Sequence, residues 1–127
     1  MNDSNVFKTH KDLDVWKESY QLSLLIYKIT LEFPECEKYG IINQMRRAAV
    51  SVVSNIAEGA ARFGNKEFVH YLYISLGSLS ELETQLLLTK DFGYHCDEQV
   101  FISIEKVRML LIGLIKYLKC RNNIDEA

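Results

Sequence analysis

Apolar residues recur at three- and four-residue steps in four segments of the chain, and only short polar breaks separate them. The first segment, residues 12–32, carries Leu13, Trp16, Tyr20, Leu24, Tyr27 and Leu31, which predicts one apolar face, with Asp12 as N-cap. Pro34 ends it, because proline disfavours helix at the residue before it. The second, residues 41–61 after Gly40, has the stripe Ile42, Met45, Ala49, Val52, Ile56 and Ala60. It is rich in small residues, which let neighbouring helices approach closely and place it centrally. The third, residues 66–90, repeats Phe68, Leu72, Ser75, Leu79, Leu82, Leu86 and Thr89 at heptad spacing. Gly64 suits the position beyond helix two, and Asn65 suits the N-cap of helix three. The fourth, residues 97–120, has Phe101, Ile104, Val107, Leu111, Leu114 or Ile115, and Leu118, with Asp97 as N-cap.

Four helices of about 20 residues with short connections predict an all-α, antiparallel up-down-up-down four-helix bundle. It forms a single domain over residues 1–127, with flexible polar ends at 1–10 and 121–127. No segment alternates as a strand does. The run Tyr71-Leu72-Tyr73-Ile74-Ser75-Leu76 is apolar on more than one side, so Tyr71, Tyr73, Ile74 and Leu76 are the expected oligomer interface. Antiparallel register sets Arg47 level with Glu81, Ser51 level with Gly77 and Ser78, and Glu81 level with Arg108. An ion-pair network of Arg47, Glu81 and Arg108 is therefore expected, with a tight crossing at Gly77, where leucine would overpack.

Composition narrows the function classes. Apolar residues make up 48% and charged residues 25%, an ordinary globular mix. The net charge of −2 argues against a strongly basic nucleic-acid binder, but the charges are segregated. Residues 37–66 carry five Lys/Arg against two Glu, residues 67–105 one Lys against seven acids, and residues 106–127 return to a local +3. Cys36, Cys96 and Cys120 are too few and too scattered for a disulfide framework, and there is neither a signal peptide nor a long apolar run. A cytoplasmic protein with no membrane contact is the expectation.

Candidate chemistry is sparse. Residues 59–66 have the glycine spacing of a phosphate-binding loop, but Asn65 stands where lysine should follow Gly64, and a helix precedes instead of a strand. His95-Cys96-Asp97 lacks paired ligand spacing elsewhere. Glu67-x-x-His70 has the spacing of a di-metal bundle site but no second copy. No nucleophile elbow or triad is present. No metal, cofactor or catalytic residue is expected. Lys38, Arg46, Arg47, Arg62 and Lys66 are the candidate set for contacting nucleic acid or another partner, because arginine binds phosphates bidentately and stacks on bases. One of Arg46 and Arg47 is expected to be spent in an ion pair.

Several motifs combine into a known pattern: Phe33-Pro34, Glu37-x-Tyr39-Gly40-Ile41, Gln44-Met45-Arg46-Arg47-Ala48-Ala49-Val50-Ser51, Ser54-Asn55-Ile56-Ala57-Glu58-Gly59, Glu67-Phe68, and Gly77-Ser78-x-x-Glu81-Leu82-Glu83. Over about residues 7–120 the chain resembles the four-helix-bundle family of the 23S rRNA intervening-sequence protein, also called ribosomal protein-like. The resemblance implies a small bacterial protein without enzymatic activity. It also implies kinship with the accessory variability protein of diversity-generating retroelements, a pentameric ring that binds nucleic acid and a reverse transcriptase through a basic surface. A homopentamer with an RNA or nucleoprotein partner follows from the resemblance. A protein-interaction adaptor without nucleic-acid binding is the alternative.

Overall fold

The computed structural model describes residues 9–126. Four helices account for most of them: α1 Asp14–Thr30, α2 Ile41–Ala60, α3 Asn65–Asp91 and α4 Glu98–Glu126. Short 3-10 turns, His10–Asp12 and Glu35–Glu37, sit in the segments before α1 and α2. No strand occurs among the described residues, and successive helices pack as antiparallel neighbours, with α1 closing on α4. The fold is the expected all-α bundle.

The ends of the helices follow local chemistry more closely than the apolar periodicity does. Asp12 is not the cap of α1. Thr9 caps the preceding 3-10 turn instead: its Oγ1 accepts from the Lys11 N–H at 3.2 Å, and the Asp12 carboxylate accepts from the Thr9 N–H at 3.2 Å. Helix α1 then begins at Asp14, after Leu13. Gly64 takes a positive φ of 93° and serves as the N-cap of α3, so Asn65 is already helical. Gly93 (φ 95°) closes α3 with the paired bonds of a Schellman end, from Gly93 N–H to Lys90 C=O and from Tyr94 N–H to Thr89 C=O, each 3.0 Å. Asp97 does cap α4, its Oδ1 accepting from the Gln99 N–H at 3.0 Å. That helix continues to Glu126, past the end expected at residue 120. The expected flexible segment 1–10 lies largely outside the described residues.

The predicted stripes of α2 and α3 are the buried ones, Ala60 alone being half-buried. The α4 stripe is also buried, with Val100 and Ile115 in it and Phe101 half-exposed. Helix α1 is different. Its core face is Val15, Ser19, Leu22, Ser23, Ile26, Ile29 and Thr30. The expected face lies outside: Tyr20, Leu24, Tyr27 and Leu31 are exposed. The core face contains three hydroxyls, yet each is satisfied by a carbonyl four residues back: Ser19 to Val15 (2.7 Å), Ser23 to Ser19 (3.2 Å) and Thr30 to Ile26 (2.8 Å). A hydroxyl bonded to its own helix buries at little cost.

Helices α2 and α3 form the most extensively packed pair, in keeping with the small residues of α2. Two hydroxyl bonds fix their register: Ser51 Oγ with Ser78 Oγ at 2.8 Å, and Ser75 Oγ donating to the Val52 carbonyl at 2.8 Å. The close approach is not at Gly77, which is exposed, and a Cβ added there would meet nothing within 4 Å. It is at Gly59, where a Cβ would stand 2.7 Å from Tyr71 Cβ and 3.0 Å from Phe68 Cδ1.

Candidate nucleic-acid and partner surfaces

The five candidate cations do not converge. Arg46 is structural: its Nε donates to Thr30 Oγ1 at 2.9 Å, its guanidinium reaches the Tyr27 carbonyl, and it lies 4.5 Å from the centre of the Tyr27 ring. Lys38 stands over Tyr39 at the end where α1 meets α2, amid Glu32, Glu35 and Glu37. Arg47 is exposed on α2 and has no ion pair or hydrogen bond among the described residues. Arg62 and Lys66 lie at the opposite end of α2. The Arg62 guanidinium is 2.7 Å from Glu58 and 5.1 Å from the centre of the Tyr71 ring. Tyr71, then Glu58, raise its pKa further, so it stays charged at any working pH.

The expected Arg47–Glu81–Arg108 network is not made. Arg108 bonds Glu83 at 2.6 Å and also Glu105, while Glu81 is exposed without a partner among the described residues. The axial levels agree with expectation, but residues 81 and 83 point about 200° apart around a helix. Glu81 therefore stands on the side of α3 that faces α2, and Glu83 on the side that faces α4. Glu83→Gln should cost about 0.5–1 kcal/mol, and the loss should shrink at high salt, as urea denaturation at two ionic strengths would show.

The expected oligomer residues also point to different sides. Tyr71 faces α2 against Gly59, Leu76 packs half-buried on the core, and Tyr73, on the side towards α4, and Ile74 are both exposed, at 47% and 40%. The neighbours α2 and α4 cover only part of the apolar stretch of α3, and Tyr73 and Ile74 stay exposed. Exposed apolar surface also lies on α1. Leu24 joins Ile102 of α4 along a groove of about 480 Å³ that also includes Leu25 and the Glu18–Lys106 ion pair (2.9 Å).

A further set of cations lies outside the expected one. At the end where the α2–α3 turn meets the C-terminal part of α4, Lys119 donates to the Tyr73 hydroxyl at 3.3 Å and lies over that ring. Arg121 lies over Tyr117, and Lys116 is exposed one turn away. Arg62, Lys66 and the exposed Phe63 lie toward the same end, where Arg62, Lys119 and Arg121 are set against aromatic rings and Glu58 and Glu67 stand among the cations. The signal in the sequence is the local +3 of residues 106–127, but it acquires a location only when α4 runs back to the α2–α3 turn.

The other end is acidic and stapled. Tyr94, stacked near Phe33 at 5.2 Å, donates its hydroxyl to Glu37 Oε2 at 2.7 Å, tying the α3–α4 loop to the α1–α2 loop. That hydrogen bond, with desolvation, raises the phenol above its ordinary value of 10. The stabilisation is therefore fully present below pH 10 and is lost as the pH rises through the higher folded value. An ultraviolet titration should show Tyr94→Phe removing a late-ionising phenol. Among the described residues no group of three or more His, Cys, Asp and Glu could hold a metal, Cys36, Cys96 and Cys120 are free thiols, and no helix is long and apolar enough to cross a membrane.

Comparison with known proteins agrees with this architecture. The chain is similar to a crystal structure from Bacteroides thetaiotaomicron described as a protein with unknown function from the S23 ribosomal protein family. The TM-score is 0.72 at 24% identity, covering 80% of this chain and 95% of that one, which supports the shared fold. No curated protein matches the chain. The 23S rRNA-intervening sequence protein family matches residues 11–114, and the chain belongs to that family.

Proposed function

We propose that this protein is a non-enzymatic, homo-oligomeric bundle that binds RNA through its basic end. The observation that carries the reading is the segregation of exposed charge along the bundle. Arg62, Lys66, Lys116, Lys119 and Arg121 lie toward one end, three of them against Tyr71, Tyr73 and Tyr117, and outnumber Glu58 and Glu67 beside them, whereas at the other end Glu32, Glu35, Glu37, Asp91, Asp97 and Glu98 outnumber Lys28, Lys38 and Lys90. Cations release condensed counterions from phosphates, and arginine and aromatic planes stack on unpaired bases. The acidic end keeps the net charge negative without opposing binding at the far end. Several copies assembled together would multiply the phosphate contacts.

The test is fluorescence anisotropy with a labelled structured RNA at low and physiological salt. Binding should weaken steeply as salt rises, and Lys119→Glu with Arg121→Glu should weaken it and flatten the salt slope. Absence of binding at low salt would overturn the reading. One observation favours a second reading, a protein-interaction adaptor: the outward stripe Tyr20, Leu24 and Leu31 of α1. On that reading a protein partner binds with little salt dependence and is lost on Leu24→Glu.

A further inference from the structure

The basic end of the bundle carries exposed rings as well as charges, and the rings bear on which form of RNA suits it. Phe63 lies in the α2–α3 turn, 87% exposed, with no ring or cation partner among the described residues. Gly64 beside it turns the chain with its positive φ of 93°, so the fold gives the phenyl ring no packing role. Three residues on, Lys66 opens the outward side of α3. His70 and Tyr73 follow at steps of four and three, so the three exposed side chains form one line along the helix. His70 stands edge-on to Tyr71 at 5.5 Å. Lys119 reaches across from α4 and donates to the Tyr73 hydroxyl at 3.3 Å. Cations and rings thus alternate over about 10 Å of α3 and along the turn before it. Of the nearby acids, Glu58 is bonded to Arg62, and Glu67 points about 100° away from Lys66 around the helix.

Paired strands hide their base faces in the stack, and the major groove of an A-form helix is too deep and narrow for side chains to read. A duplex would meet the cations of this strip and leave its rings unused. An unpaired base offers a π-face to any ring within reach. We propose that the strip takes up single-stranded RNA in preference to duplex, with Phe63 as the stacking platform for a base and Lys66 and Lys119 on neighbouring phosphates. This rests on the RNA-binding reading and adds to it the form of the RNA and the residue that selects it. Every base has a π-face, so the preference is for strandedness and not for a sequence. Lysine, a compact point charge on a flexible stem, suits phosphates whose positions vary along a single strand.

The experiment is fluorescence anisotropy at low salt with two labelled probes: an oligoribonucleotide without self-complementarity, and the same strand annealed to its complement. Circular dichroism confirms that each variant stays helical. Wild type should bind the single strand more tightly than the duplex. Phe63→Ala should weaken single-strand binding about tenfold, within the range of one lost base–aromatic stack, and leave duplex binding unchanged. Its salt slope should match that of wild type, because no charge is removed. Phe63→Trp should restore the single-strand affinity. Lys66→Ala should instead weaken both probes and lower the salt slope by about one. Equal affinity for the two probes, or wild-type affinity of Phe63→Ala for the single strand, would overturn this inference and leave RNA binding itself in place. Binding of neither probe would overturn the RNA-binding reading and this inference with it.

Discussion

Gly59→Ala is expected to destabilise the protein by about 2 kcal/mol, although alanine is the better helix former. A Cβ at this position would stand 2.7 Å from Tyr71 Cβ, 3.0 Å from Phe68 Cδ1 and 3.2 Å from the Phe68 carbonyl oxygen. The first and third neighbours are fixed to the backbone of α3, so relief requires the two helices to part and not merely a rotamer change. Overpacking of that kind costs about 1–3 kcal/mol, and this contact belongs near the top of the range. The helix-propensity gain of roughly 1 kcal/mol offsets part of it. Urea denaturation should show a lower midpoint with an unchanged slope. Gly77→Ala is the control, since its Cβ would meet nothing within 4 Å and only the propensity gain of about 0.5–1 kcal/mol remains. Equal effects at the two glycines would mean that the α2–α3 crossing is too loose at Gly59 for a methyl group to be felt.

The pair of glycines shows what is legible in the sequence. A helix of small residues packing closely on α3 can be read from composition, and the axial register holds to within a residue: Ser51 does bond Ser78. What register cannot supply is the direction each side chain takes around its helix. Gly77 has the correct level for a crossing but points outward. Glu81 has the correct level for Arg108 but points the other way, and Glu83 makes the bond. The cations of α4 are visible as a local charge excess, yet only the return of that helix to the α2–α3 turn sets Lys119 and Arg121 near Arg62. The resemblance supplies the fold and the family, and it says nothing of which cations are spent. Arg46 is spent, on Thr30 and Tyr27, which no charge count reveals.

Helix α1 marks the sharpest difference, and it yields the second large prediction. Leu22→Ala should cost about 2–5 kcal/mol, while Leu24→Ala should change stability by no more than about 0.5 kcal/mol. Leu22 is 1% exposed within the core, and Leu24 is 53% exposed beside Ile102. From sequence the preference runs the other way. The stripe through Leu24 also carries Trp16, Tyr20, Tyr27 and Leu31, whereas the stripe through Leu22 is interrupted by Ser19, Ser23 and Thr30. Counting apolar side chains penalises buried hydroxyls at their cost when unbonded, but here each donates to a carbonyl of its own helix, and Ser23 also reaches the Ala49 carbonyl of α2 at 3.3 Å. Small hydroxyl residues then let α1 lie close to α2, and the bulky stripe is left to face outward, with Tyr27 held beneath Arg46. Chemical denaturation of the two variants side by side decides the matter. A large loss at Leu24 with none at Leu22 would reverse the assignment of the faces and return the α1 stripe to the core.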